Sequence, residues 1–81
     1  YENLLAAYTS ANIKLLKAIA KEGCVKEITS GQFIAKYDLR AASSVKSSLK
    51  KLVDKEMVYK TQEGYIIYDR FMAIWLRQQP Y

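Results

Sequence analysis

Histidine is absent from the 81-residue sequence, and cysteine, proline and glycine are scarce, with one, one and three residues. Without histidine, the chain has neither an imidazole general base nor an imidazole metal ligand. The single cysteine, Cys24, has no partner for an internal disulfide, which is typical of an intracellular protein. We expect its thiol to be buried or half-buried. The few glycines and the single proline argue against an all-β fold built on many tight turns.

Long hydrophobic runs are also missing. No stretch of about 18 apolar residues occurs, and no signal-peptide pattern is present. We therefore expect a cytoplasmic protein without a membrane partner. Apolar residues make up 51% of the sequence, which is enough for the modest core of a single domain over residues 1–81. Because the first residue is Tyr1 and not Met, we expect a fragment of a longer protein.

No pattern in the sequence indicates catalysis. The eight carboxylates are scattered among 13 basic residues, and no spacing suggests a paired acid–base site. The serines are numerous, but none has a nearby base that would activate it. A GxxxxGK[ST] loop is absent, so the chain has no phosphate-binding loop of that kind. The sequence predicts a non-catalytic protein with no cofactor and no metal site of its own.

Helical periodicity dominates the first half of the chain. Residues 2–8 have the pattern of a short helical segment. A full helix follows in "TSANIKLLKAIAKEG", where Ser10 is the predicted N-cap and Gly23 the predicted end. A short strand is predicted near Val25 to Ile28. The next helix, "SGQFIAKYDL", is capped by its first serine or by the threonine before it.

The second half of the chain predicts a helix, a hairpin and a last helix. After a tight turn, a third helix runs from Ala42 to Lys55. Its predicted core stripe follows helical spacing and consists of Val45, Leu49, Leu52, Val53 and Glu56. The strands "MVYKT" and "YIIY" flank the loop "QEG", which is a hairpin signal. Asp69 is the predicted N-cap of the last helix, "DRFMAIWLRQ", and Pro80 lies beyond its end.

This order of elements predicts a winged helix-turn-helix fold. The class is mainly α with a small antiparallel sheet, in the order helix, strand, helix, helix, strand, strand, helix, with an extra helical segment at the N-terminus. The short strand is expected to join the hairpin in a three-stranded sheet, because an isolated hairpin is only marginally stable.

The third helix is the candidate site. Residues 40–60 contain six basic and two acidic residues, and so carry +4 of the net charge of +5. In a helix-turn-helix, the N-terminal part of the second helix enters the major groove of DNA. The candidate nucleic-acid-binding residues are on the side opposite the core stripe, in the preceding turn and in the wing: Arg40, Ser43, Ser44, Lys46, Ser47, Lys50, Lys51, Lys60 and Gln62.

Side chains that read bases are rare among these candidates. Only Arg40 and Gln62 belong to the strong base-reading types, and Glu63 in the wing would repel phosphates. The pattern therefore predicts weak, salt-sensitive binding that tolerates many DNA sequences. The alternative interpretation of this face is a solvated helix surface without a partner.

The last helix has more apolar residues than one stripe requires. One interpretation is that it completes the core of this domain, with Tyr1, Leu4, Leu5 and Tyr8 as its partners. The other is that it contacts another domain or a second subunit. The candidate interface residues are Phe71, Met72, Trp75 and Leu76.

Three segments carry a family resemblance: "LLKAIA", "SSVKSSLKKLVDKEMV" and "GYIIYDRFMAIWLR". They resemble the winged-helix domain that follows the ATPase core in prokaryotic AAA-type P-loop ATPases of the archaeal-ATPase kind. The resemblance implies an ATPase domain upstream, in the parent protein, that binds ATP and magnesium. It also implies two roles for the present chain: DNA binding, or regulatory contact with the ATPase core or another subunit.

Overall fold

The computed structural model describes Ala6 and residues 8–78. Within this part, the elements are α1 (Ser10–Glu22), α2 (Gly31–Tyr37), α3 (Ala42–Asp54), β1 (Val58–Thr61), β2 (Gly64–Ile67) and α4 (Arg70–Gln78). The mainly helical class and the order of elements are confirmed. The predicted helical segment over residues 2–8 lies largely outside the described residues. None of the described helices has the length and hydropathy to cross a membrane.

The N-cap of α1 is Thr9, one residue before the predicted N-cap, Ser10. The Thr9 hydroxyl accepts a hydrogen bond from the Asn12 amide, and the Asn12 side chain accepts one from the Thr9 amide, both at 3.2 Å. Had Ser10 been the cap, the reciprocating position would be Ile13, which has no acceptor. The predicted end is confirmed, since Gly23 terminates the helix with a φ of 83°.

The turn between α2 and α3 uses left-handed backbone at two residues that are not glycine. Ser30 caps α2 as predicted, with its hydroxyl accepting from the Phe33 amide at 3.2 Å. The helix ends at Asp38, which has a φ of 53°, and Arg40 follows with a φ of 74°. Left-handed backbone is disfavoured for a side chain such as that of Arg40. This tight turn sets the direction in which α3 begins.

The short strand predicted from Val25 to Ile28 is reduced to a single bridge. Val25 pairs with Tyr65 through two backbone hydrogen bonds of 3.0 and 2.8 Å. The chain then turns, with the Ser30 amide bonded to the Glu27 carbonyl, so that Ile28 enters the core and not a strand. The sheet therefore has two strands within the described residues, and the predicted third strand is wrong beyond Val25.

The core is centred on α1. Leu16, Ala18 and Ile19 are fully buried, and residues from each of the other elements pack around them. Tyr8 and Trp75 are partly buried against the same core. Cys24 is half-buried, as predicted.

α3 buries a narrower stripe than the sequence predicted. Val45, Leu49 and Leu52 are buried, together with Ser48, which was not predicted. Val53 is 39% exposed and Glu56 is exposed, so both predictions of burial are wrong. α3 packs on α1, which covers the side of Ser48. Val53 lies 100° around the helix from Leu52 and points away from that contact.

Truncating Leu52 and Val53 in turn tests this assignment of the buried face. Leu52→Ala leaves a cavity at a fully buried position and is expected to lower the free energy of unfolding by about 2–5 kcal/mol. Val53→Ala is expected to lower it by less than about 1 kcal/mol. Urea denaturation of both variants measures the difference, and equal losses would contradict the assignment.

A charged cluster joins the end of α1 to α2. The Lys36 ammonium donates to the Glu22 carboxylate at 2.8 Å, and the Tyr37 hydroxyl donates to the same oxygen. Hydrogen bonds from Lys36 and Tyr37 lower the pKa of Glu22 below its usual 4.5. Burial, followed by the Glu22 contact, raises the pKa of Tyr37. The cluster therefore favours the ionised carboxylate in the folded state.

This shift gives a pH dependence that can be measured. Because the folded pKa of Glu22 is depressed, its stabilising contribution is complete above about pH 4.5 and is lost as the pH falls through the folded pKa. Glu22→Gln is expected to reduce the loss of stability on acidification below pH 4.5, read by thermal melting. Glu27→Gln, at an exposed carboxylate, is the matched control. An acid profile unchanged by Glu22→Gln would refute the role of the cluster.

Candidate nucleic-acid interface

The exposed face of α3 carries Ser43, Ser47, Lys50 and Asp54. These residues recur at three- and four-residue intervals, so they form one continuous surface. The opposite side of the helix packs into the core. The structure thus confirms that these positions face solvent. Their role in binding is a separate matter, and it depends on the charges around them.

On the side of the wing, two α3 lysines meet the hairpin. Lys46 and Lys50 line a groove of about 250 Å³ together with Asp54 of the same helix and Tyr65 of β2. Lys60 of β1 and Tyr65 of β2 are directly paired in the sheet, and the Lys60 ammonium lies 5.9 Å from the centre of the Tyr65 ring. The three lysines form no ion pair with any described residue. We call Lys46, Lys50 and Lys60 the lysine cluster.

On the other side, α3 faces the start of α1. Ser43, Ser44 and Ser47 line a recess of about 450 Å³. Lys51 lines the same recess and is half-buried, with its ammonium 5.0 Å from the centre of the Tyr8 ring. A cation in that position is stabilised by the aromatic face. The structure therefore separates Lys51 from the lysine cluster, although the sequence had grouped them together.

The start of α3 lies beside Arg40. Arg40 is exposed in the tight turn, near the ion pair of Lys14 with Asp38, whose atoms are 3.8 Å apart. The N-cap is Ala41, whose side chain makes no capping hydrogen bond. The first turn of α3 also contains no acidic residue. The helix start is thus electropositive and approachable.

The wing is shorter than the sequence suggested. β1 and β2 pair directly up to Thr61 and Gly64, so the loop consists of Gln62 and Glu63 alone. The Thr61 hydroxyl donates to the Gly64 carbonyl at 2.9 Å and accepts from the Glu63 amide at 3.2 Å. Gln62 is exposed at the tip. Of the two wing candidates, Lys60 joins the lysine cluster through Tyr65, whereas Gln62 lies at the tip of the loop and outside that cluster.

Gly64 ties the wing to the rest of the domain. Its φ is 138°, and an added Cβ would lie 2.5 Å from the Val25 carbonyl oxygen. Only a residue without a side chain allows the Val25–Tyr65 bridge to form at this distance. The sequence signal here was a glycine at the end of a hairpin loop, but the constraint comes from a long-range backbone contact.

The last helix divides the predicted interface residues. Met72 and Leu76 are 2% and 0% exposed, so they are core residues and the structure corrects their assignment to an interface. Phe71 is 75% exposed, and Trp75 is half-buried. Three further exposed apolar residues were not among the predicted interface residues: Tyr59, Tyr68 and Ile74. The sequence partners Tyr1, Leu4 and Leu5 lie outside the described residues.

Among the residues that the structure describes, no group of three cysteine or carboxylate side chains is placed to hold an ion.

Replacing Gly64 tests whether the wing is fixed by close backbone contact. Gly64→Ala is expected to destabilise the fold by more than about 2 kcal/mol, because the methyl group meets the Val25 backbone and the φ is unfavourable. Gly31→Ala is the matched control, since its added Cβ meets nothing within 4 Å and alanine favours a helix. Equal melting temperatures for the two variants would contradict this account.

Comparison with known proteins agrees with the fold. Residues 1–78 match a family described as a probable winged helix domain. No curated protein and no solved structure matches the chain. The match spans nearly the whole sequence, and the structure has the helices and the two-stranded wing that such a domain requires. The chain therefore belongs to this winged helix family.

Proposed function

We propose that the chain is a non-catalytic winged-helix module that binds duplex DNA through the phosphate backbone. The observation that carries the proposal is the lysine cluster, in which α3 and the wing bring Lys46, Lys50 and Lys60 to the same side of the molecule. Three lysines without a carboxylate partner among the described residues suit a polyanion.

The remaining candidates add contacts around this cluster. Ser43 and Ser47 are exposed near the start of α3, where small side chains permit close approach and hydroxyls donate to phosphates. Arg40 and the uncapped first turn of α3 favour a phosphate at the same end. Lys51 is directed to the recess beside α1 and contributes only to the overall potential.

The chemistry of this face favours affinity without sequence choice. Lysine binds phosphate as a point charge, whereas base reading relies on arginine, asparagine or glutamine placed in the groove. α3 has none of these three residue types, and Asp54 and Glu63 limit the approach of phosphates. Binding is therefore expected to be micromolar or weaker and to tolerate any duplex sequence.

The larger setting of the module follows from resemblance alone. The similarity of "GYIIYDRFMAIWLR" to AAA-type ATPases supports a place beside an ATPase core in the cytoplasm, with ATP and magnesium bound by that core. A regulatory contact with the core or with another subunit is the second candidate function. It is favoured by the exposed side chains of Tyr68 and Phe71, which the DNA proposal does not use.

Charge reversal tests DNA binding. The wild-type chain is expected to bind a labelled duplex at low salt, with affinity falling at a log–log slope of roughly 2.7 for three phosphate contacts. Lys46→Glu combined with Lys50→Glu is expected to abolish binding, measured by fluorescence anisotropy. Circular dichroism checks that the fold is intact.

The control is a double variant on a different surface that changes the net charge by the same amount as the lysine double variant. Arg70→Glu combined with Arg77→Glu alters exposed residues of α4 and is expected to leave most of the duplex affinity in place. Because Arg77 bonds the Ala20 carbonyl, circular dichroism also checks the fold of this variant. If both double variants lose binding equally, net charge alone accounts for it and α3 has no special role. If neither loses binding, the proposal is wrong.

A further inference from the structure

A cleft of about 210 Å³ separates the outer face of the wing from α4, away from the lysine cluster. The wing contributes Tyr59, Ile66 and Tyr68, and α4 contributes Arg70 and Arg77. The end of α1 closes one side at Gly23. We propose that this cleft docks an acidic peptide segment of another protein, with an aromatic or large apolar residue seated against the tyrosines.

The charge of the cleft is of one sign. Its lining contains two arginines and no carboxylate. Asp69, which precedes Arg70, accepts hydrogen bonds at its carboxylate from the Phe71 and Met72 amides at 2.9 and 3.2 Å. That carboxylate is therefore engaged in capping α4. The guanidinium groups of Arg70 and Arg77 remain suited to carboxylates supplied by a partner.

Arg77 is already held in position. Its Nε donates to the Ala20 carbonyl at the end of α1, at a distance of 3.1 Å. This bond uses one of the five donors of the guanidinium group. A side chain that is fixed before binding loses less conformational entropy when the partner arrives. Arg77 thus has the geometry of a preorganised anchor beside the cleft.

The aromatic side chains of the cleft are exposed to solvent. Tyr68 is 71% exposed and Tyr59 is 41% exposed, and their rings meet edge to face with centroids 5.7 Å apart. On the exposed side of α4, Ile74 lies one turn from both Arg70 and Arg77. An exposed group of apolar side chains beside fixed charges is typical of an interaction surface.

These residue types favour a protein partner over a nucleic acid. Tyrosine and arginine are the types enriched at the energetic centres of protein interfaces. Lysine, which supplies the lysine cluster, is absent from the lining. Tyr59 and Tyr68 alone would also suit stacked bases. The aliphatic side chains of Ile66 and Ile74 beside them offer no flat ring for stacking and instead suit the apolar surface of a protein partner. An acidic, apolar peptide matches both the charge and the apolar surface.

The experiment is an NMR titration of the full chain, labelled with ¹⁵N, with a synthetic peptide in which glutamate alternates with phenylalanine. The expected result is that amide shifts concentrate at Tyr59, Tyr68 and Arg70 and leave α3 unchanged. Arg70→Gln and Tyr68→Ala alter exposed side chains, so the fold is retained, and each is expected to weaken binding about tenfold. Lys46→Glu combined with Lys50→Glu is expected to change peptide affinity by less than about twofold, because that surface is separate.

Two matched peptides and one oligonucleotide complete the test. Peptides with glutamine in place of glutamate, or serine in place of phenylalanine, are expected to bind at least about tenfold more weakly. Equal binding of either control peptide would overturn the proposal, as would shifts spread over α3. If oligothymidylate, and not the acidic peptide, moves the Tyr59 and Tyr68 amides, the cleft binds single-stranded nucleic acid and the proposal is wrong.

Discussion

Leu16 and Ile19 lose all contact with solvent because α2, α3, β2 and α4 each pack on α1. Burial of apolar surface on this scale is the main stabilising contribution in a chain of this size. α1 also fixes both candidate surfaces, the lysine cluster and the cleft beside α4. It supports the buried stripe of α3 on one side, and its last turn holds Arg77 through the Ala20 carbonyl on another. Loss of packing at α1 would therefore disorganise the lysine cluster and the cleft together.

The two surfaces lie on opposite faces of the wing, because side chains alternate between the faces along each strand. Successive residues of a strand point to opposite sides of the sheet. Lys60 and Tyr65, which are partners in register, face α3, while Tyr59 and Ile66, which are also partners, face the cleft beside α4. A single short hairpin thus presents Lys60 on one side and the ring of Tyr59, which meets that of Tyr68, on the other. The bridge at Val25 keeps the hairpin in one orientation, so each side stays with its own helix.

Local signals predicted most of the fold. Ser30, Gly23 and Asp69 mark helix ends by chemistry that operates within a few residues, and all three occupy the expected positions. Features that depend on distant neighbours were harder to predict. Burial of Ser48 and exposure of Val53 depend on where α1 touches α3, and helical spacing carries no such information. The short strand ends at Val25 because the chain then turns and Ile28 enters the core, which the local sequence pattern did not indicate.

The candidate site shows the same division. The solvent-facing positions of α3 could be predicted from helical periodicity. The contact of Lys51 with the Tyr8 ring and the cleft beside Tyr68 could not, because both depend on how distant segments pack together.

The small size of the domain has a consequence for how its two surfaces influence each other. The molecule measures 30 × 26 × 24 Å, and charges in salt at 0.15 M are screened over about 8 Å. Charges on opposite faces of the domain are thus more than one screening length apart at physiological salt and influence each other only weakly. At low ionic strength the screening length approaches the width of the domain. The two ligands proposed above, a duplex and an acidic segment, would then repel each other across it and compete without any movement of the backbone.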